Sequence, residues 1–303
     1  RPSHRTGRAG GRRGRVPHGW FNVIDQRHPK LGIIAGGGQL PAQIVEACQA
    51  SGRPYFVLAI EGHTATETVI GAPHAWVRLG AAARAIEVLQ TENVEELVMA
   101  GPMRRPSMRE LRPDLTTAKF FARLGSKAVG DDGLLGAVVR ELEQRHGFRV
   151  VGIESVLPGV MATEGVLGAH RPDAQATRDI ERGIEVARGV GALDVGQAAV
   201  VQEGIVLAVE AIEGTDAMLA RAAQVRREGA GGVLVKVRKP GQEDRADLPT
   251  IGERTIRAAA EAGLAGIAIE AGGALVVGRD AVIAAADAAD LFVIGIPIPD
   301  DER

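Results

Sequence analysis

From residue 31 onward the chain alternates short apolar runs with stretches of helical periodicity. Residues 31–35, 55–60 and 96–100 read as strands, because short apolar runs bounded by Gly, Pro or polar turns suit a buried strand. Between them, 40–51 and 81–91 place apolar residues at helical spacing, and 131–146 does so again before a strand at 149–153. That β-α-β rhythm predicts a parallel sheet with crossover helices. Residues 158–172 hold two prolines and three glycines with little periodicity and read as a linker.

The second half begins with a helix over 174–190, with Asp173 in front of it as a cap. Runs at 198–201 and 205–210 predict hairpin strands turned at Glu203-Gly204. A helix over 215–227, a strand over 232–237 and a helix stopping at Gly263 follow. Thr250-Ile-Gly-Glu253 is read as the capping box of that last helix. Strands at 266–270, 275–277 and 291–294, with a helix at 281–288, complete a mixed α/β unit whose topology the pattern does not give.

Composition changes the picture in two places. The chain has 303 residues, 45% hydrophobic and 24% charged, so two soluble domains are expected. Net charge is −2, but the first thirty residues carry 8 Lys/Arg against 1 Asp/Glu, leaving 28 against 37 in the body. The acidic body argues against a nucleic-acid surface, and residues 1–29 read as a disordered basic leader or an upstream extension. That leader lacks the apolar stretch of a signal peptide, and no apolar run reaches membrane-spanning length. Cys48 is the only cysteine, placed in a helix as a core thiol, and a reducing, cytoplasmic compartment is the simplest fit. The seven histidines show no zinc-ligand spacing.

Candidate chemistry sits at strand ends. Gly36-Gly37-Gly38 follows the first strand and opens a helix, where backbone N–H groups can meet an anion. Pro41 stands where a dinucleotide fingerprint wants its third glycine, while Glu61 can serve as the ribose acid. An NAD(P)- or flavin-dependent oxidoreductase is therefore an alternative. Gly101 follows the third strand, with Arg105 placed to meet phosphate and Arg104 as an ordinary surface charge otherwise. Asp131 opens a helix as a cap or as a metal contact. Glu210, Glu213 and Asp216 crowd one strand end; Mg2+ would explain them, and Thr215 or Asp216 as a plain cap is the bland alternative. Lys236, Lys239 and Arg245 surround one carboxylate, Asp247, which precedes Pro249. Cations gathered about a carboxylate suggest phosphoanhydride chemistry.

Taken together, Gly32-x-x-Ala-Gly-Gly-Gly-x-Leu-Pro, Gly130-Asp-Asp, Asp194-x-Gly-Gln197, Val209-Glu-Ala-x-Glu-Gly-Thr-Asp-Ala-Met218 and Lys236-x-x-Lys-Pro-x-Gln-x-x-Arg-x-Asp-Leu-Pro-Thr-Ile-Gly252 resemble the LpxI-type UDP-2,3-diacylglucosamine pyrophosphatases of lipid A biosynthesis. The resemblance runs from about residue 30 to residue 296. It implies an α/β fold of two domains, a Rossmann-like parallel-sheet domain over 30–157 and a mixed α/β catalytic domain over 173–303, with the ligand cleft between them. It implies Mg2+-dependent hydrolysis at the α-phosphorus, giving UMP and 2,3-diacylglucosamine 1-phosphate. The essential aspartate carries over to Asp247. Gly36, Gly37, Gly38, Gly101, Gln197, Thr215, Lys236, Lys239 and Arg245 become expected substrate contacts, and Asp216, Glu213 and Asp131 expected metal contacts. Pro102-Met103-Arg104 departs from the family pattern. A substrate with two acyl chains further implies docking at the cytoplasmic membrane surface; a homo-oligomer and a non-catalytic nucleotide or lipid carrier stay open.

Overall fold

The structure is a computed structural model and describes residues 28–104, 108–124 and 131–299. The expected basic leader lies almost wholly outside them.

The first half runs β1 (Leu31–Ala35), α1 (Leu40–Ser51), β2 (Tyr55–Ile60), β3 (His74–Val77), α2 (Ala82–Thr91), β4 (Glu96–Ala100), α3 (Met108–Leu111), α4 (Leu115–Leu124), α5 (Asp131–His146) and β5 (Arg149–Val150). Its strands are all parallel in the order β3-β2-β1-β4-β5, so the chain winds outward from β1 in both directions. In such a sheet the reversal beside β1 leaves a crevice at the carboxyl ends of the strands. The apolar runs are buried because helices cover both faces. One face packs Ile44, Val45 and Cys48 of α1, and the other packs Val88 and Leu89 of α2 with Val139 of α5.

β3 escaped the sequence reading because His74-Ala-Trp-Val77 is short and partly exposed, at the edge of the sheet. The strand expected to reach residue 153 ends at Val150, and a 3-10 turn over Ile153–Ser155 follows. At the amino ends of the strands, Arg53 and Arg149 both pair with the buried Glu96. The carboxylate ties β2, β4 and β5 together at that end.

The second half runs β6 (Gly165–Leu167), α6 (Ala174–Ala192), β7 (Ala198–Gln202), β8 (Ile205–Val209), α7 (Gly214–Val225), β9 (Val233–Lys236), β10 (Thr250–Gly252), α8 (Glu253–Glu261), β11 (Gly266–Glu270), β12 (Leu275–Val277), α9 (Arg279–Ala288) and β13 (Phe292–Ile296). Six strands form a mixed sheet in the order β6-β13-β11-β9-β7-β8, with β9, β11 and β13 parallel. β10 and β12 form a separate parallel pair. On one face α7, α8 and α9 cover a core that includes Met218, Ile256 and Val282. On the other α6 covers Val233 and Val235. Glu203 and Gly204 both have positive φ, the turn that lets β7 and β8 twist as a hairpin.

Two expectations are corrected here. The segment read as a linker contains β6, which pairs antiparallel with β13. Thr250 belongs to β10, so the start of α8 is closed differently: Gly252 is the cap position, and its N–H donates to Thr255 Oγ1 at 3.3 Å.

Asp173 does cap α6, accepting the Ala176 N–H at 2.7 Å. Asp173→Ala is expected to cost about 1 kcal/mol, read as a lower urea midpoint with an unchanged slope.

Candidate active site

Strand register alone assembles the site of the second domain. Ala198 of β7 pairs with Lys236, the last residue of β9, and Ala199 pairs with Val209, the last of β8. Lys236 also pairs with Ile269, one residue before Glu270 at the end of β11. Gln197, Glu210, Lys236 and Glu270 therefore share one edge of the sheet, although up to 73 residues separate them in sequence.

Each of these groups is held by a partner. Lys236 is buried, and its ammonium donates to Thr215 Oγ1 at 2.8 Å and to the Thr250 carbonyl at 3.3 Å. The Thr215 hydroxyl in turn donates to Glu210 Oε1 at 2.6 Å, and the Gln197 N–H donates to Glu210 Oε2 at 3.3 Å. Glu210 thus fixes the hydroxyl that receives Lys236. Lys239, also buried, donates to Asp194 Oδ1 at 2.7 Å. The Arg238 N–H donates to Glu270 Oε2 at 2.9 Å, and the Arg238 side chain pairs with Asp244.

Asp247 lies half-buried on the loop between β9 and β10. Gln242 Nε2 donates to its Oδ2 at 2.8 Å. The residues flanking it are anchored in the first domain. Leu248 belongs to the apolar cluster containing Ala35, Leu40 and Ala100, and Ala246 packs on the cluster containing Met99. Ala35 and Ala100 are the last residues before the two glycine turns. Two neighbours of the acid thus lie in apolar clusters of the first domain that also hold Ala35, Met99 and Ala100.

The glycines themselves act mainly on each other. Gly36 donates to the Ala100 carbonyl at 2.8 Å and Gly37 to the Pro102 carbonyl at 2.9 Å. A Cβ on Gly36 would lie 2.5 Å from the Gly101 carbonyl oxygen, and one on Gly101 2.1 Å from that of Gly37. These two N–H groups are spent within the fold, so the phosphate cradle expected of a dinucleotide fold is not built from them. Gly38, exposed and with positive φ, keeps its place as a candidate contact. Glu61 stands exposed just beyond β2.

Other expected residues are occupied elsewhere. Arg245 is bound to Glu243 and, across the domain boundary, to Glu143 Oε1 at 2.8 Å. It is a tie between domains in this structure. Glu213 pairs with Arg221, and Asp216 with Arg254 at 2.8 Å. Backbone N–H donation and Arg221 hold Glu213 below the usual carboxylate range. Asp131 opens α5, and its side chain, like Arg105 and Gly130, lies outside the described residues. Arg104 pairs with Glu110 at 3.2 Å.

Among the described residues no three His, Cys, Asp or Glu side chains gather as a metal would require. Glu213 and Asp216, expected as Mg2+ contacts together with Asp131, each pair with an arginine in this structure. Burial raises the Cys48 thiol above its ordinary pKa, as suits a core position. Sequence reasoning passed over Asp194 and Gln242 as functional residues and took Glu210 only as one of three crowded carboxylates, although all three stand inside the motifs quoted above.

Both halves of the chain match family models, the LpxI N-terminal domain over residues 30–160 and the LpxI C-terminal domain over 163–294. The chain belongs to the LpxI family. The UDP-2,3-diacylglucosamine pyrophosphatase LpxI of Caulobacter vibrioides is 45% identical over 274 residues, spanning 88% of this chain and 97% of that one. Membership makes the chain an enzyme of the phosphoanhydride hydrolase class. Among the described residues no helix is long and apolar enough to cross a membrane.

Two outcomes follow from the geometry. Gly101→Ala forces a side chain into the Gly37 carbonyl at a φ of +87°; a stability loss of about 2 kcal/mol or more is expected, with turnover falling alongside it. Arg245, through its hydrogen bond and charge, holds Glu243 below its ordinary pKa. A depressed carboxylate contributes stability above its unfolded pKa and loses it as pH falls through the folded one. Arg245→Met should therefore lower the urea midpoint at neutral pH, and the gap to wild type should narrow as pH drops below about 4.

Proposed function

We propose that the protein hydrolyses UDP-2,3-diacylglucosamine at its α-phosphorus, giving UMP and 2,3-diacylglucosamine 1-phosphate in lipid A biosynthesis. The observation that carries this reading is the placement of Asp247. It sits on the loop that also carries Lys239, between Ala246 and Leu248, which belong to apolar clusters of the first domain.

Lys236 and Lys239 bind the non-bridging oxygens of the diphosphate, where their charge counts for more than at an exposed surface. Asp247 orients a water for in-line attack and takes up its proton. The new bond forms between the water oxygen and the α-phosphorus, and the lipid 1-phosphate departs with the bridging oxygen. Gly38, Gln197 and Thr215 are the remaining candidates to border the substrate.

Charge bookkeeping favours a divalent ion brought in with the substrate. Asp194, Glu210 and Asp247 stand against Lys236 and Lys239, so these groups alone do not balance the charge of a diphosphate. Mg2+ is commonly held by substrate phosphates with one or two carboxylates, without a protein-built cage. We therefore read it as the counter-ion of the diphosphate.

The substrate's acyl chains place the enzyme at the inner face of the cytoplasmic membrane. Leu193, Val195 and Ile212, exposed on the loops that carry Asp194 and Glu210, support that placement.

Asp247→Ala is expected to lower kcat about a thousandfold. The check is UMP release from UDP-2,3-diacylglucosamine, followed by mass spectrometry with and without Mg2+. Turnover of the variant within about threefold of wild type overturns the reading.

A further inference from the structure

We propose that Gln242 is a positioning residue that fixes the carboxylate of Asp247 relative to Lys239. The inference rests on the role assigned above to Asp247 and adds the group that aims it.

Gln242 is a buried neutral amide whose two ends are both engaged. Its Oε1 accepts the backbone N–H of Lys239 at 3.0 Å. Its Nε2 donates to Asp247 Oδ2 at 2.8 Å and lies 3.4 Å from Gln197 Oε1. The Lys239 N–H can only donate, so it selects the oxygen end of the amide and turns the NH2 end toward Asp247. The flipped amide would set donor against donor at Lys239 and acceptor against acceptor at Asp247. The orientation is therefore determined by chemistry at both ends.

The backbone beneath Asp247 is held on both sides. Ala246 and Asp247 both donate their N–H to the Glu243 carbonyl, at 3.0 and 3.1 Å, closing a turn. Leu248 and Pro249 beyond it are buried. With the main chain held on both sides, the Gln242 amide engages one oxygen of the carboxylate. The Gln242 N–H in turn donates to the Lys239 carbonyl at 3.2 Å, so the pair is bonded in both directions. The main chain of Lys239 and the carboxylate of Asp247 are thereby linked through one side chain. A glutamate at 242 could still accept from Lys239, but it would present an acceptor to Asp247.

The test uses the full-length enzyme and two variants. Gln242→Met keeps the length and removes both polar ends; Gln242→Glu keeps the acceptor and loses the donor. In each, kcat is expected to fall about 30-fold while KM stays within about threefold, because a misaimed carboxylate disturbs the reacting geometry more than ground-state binding. In an Asp247→Asn background the same Gln242→Met change should alter the residual rate by less than about twofold, since the residue acts through Asp247. Equal losses in both backgrounds, or a change carried by KM alone, would overturn the proposal. If Gln242→Met fails to fold, the kcat and KM split in Gln242→Glu decides. An active Asp247→Ala enzyme would instead defeat the underlying reading. An inactive Asp247→Ala beside a fully active Gln242→Met would defeat only this inference.

Discussion

Two buried ammonium groups set the terms for the second domain. Lys236 and Lys239 are at most 8% exposed, and a charge taken out of water must be paired and hydrogen-bonded or the fold is penalised by several kcal/mol. Their partners include Asp194 from the loop before β7, the Thr250 carbonyl of β10, and Thr215 from the first turn of α7, itself bonded to Glu210 at the end of β8. None of these side chains is near the lysines in sequence. The mixed sheet satisfies the demand through register, since antiparallel pairing of β7 with β9 and β8 brings the start of one strand beside the ends of two others. A slip of one residue would turn the lysine to the opposite face. The polar network and the strand order are therefore one constraint viewed at two scales.

The first domain contributes through packing more than through polar contacts. Its sheet ends in Ala35 and Ala100, followed by glycine turns that press against each other so closely that no Cβ fits at Gly36 or Gly101. This compact edge accepts Leu248 from the second domain, along with Leu275 and Val277 in the same apolar cluster. Arg245 adds a charged tie to Glu143 at the side of the joint. The loop bearing Asp247 is consequently part of the core of both domains. A loop anchored on each side by buried apolar residues can hold a reactive group more closely than an exposed loop can.

Much of this was legible in the sequence, for reasons that differ by element. The limits of β1, α1, β2, β4 and α5 follow from apolar runs and helical spacing broken by glycine or polar residues, and the structure places them at the residues that pattern gives. Asp173 was legible because an N-cap is a local device. β6 was hidden because three residues in a Pro- and Gly-rich segment become a strand only when β13 is alongside. Glu213 and Asp216 look unbalanced in sequence, while Arg221 and Arg254, which pair with them, are brought to them by the fold. The glycine turn was read as a place for ligand approach, and the approach it serves at Gly36 and Gly37 is that of the neighbouring loop. Gln242 was overlooked for a simpler reason: a neutral amide has no charge to draw attention, and its value lies in the direction it faces.

That last point bears on how the site can work with so few groups. On the proposed reading the reaction needs a carboxylate aimed at water and cations aimed at phosphate oxygens, all prepared before the substrate arrives. Preorganisation is effective because the groups do not have to be reoriented as charge moves in the transition state. Here Asp194 and Glu210 hold the lysines in place, with Glu210 acting through Thr215. Gln242 does the corresponding task for the acid. The carboxylates that steady the lysines also leave the pocket short of positive charge, so a diphosphate is admitted most readily when it carries its own divalent ion. On that reading the preference for a metal-bearing diphosphate over a bare anion would come from the same pairs that make the fold stable.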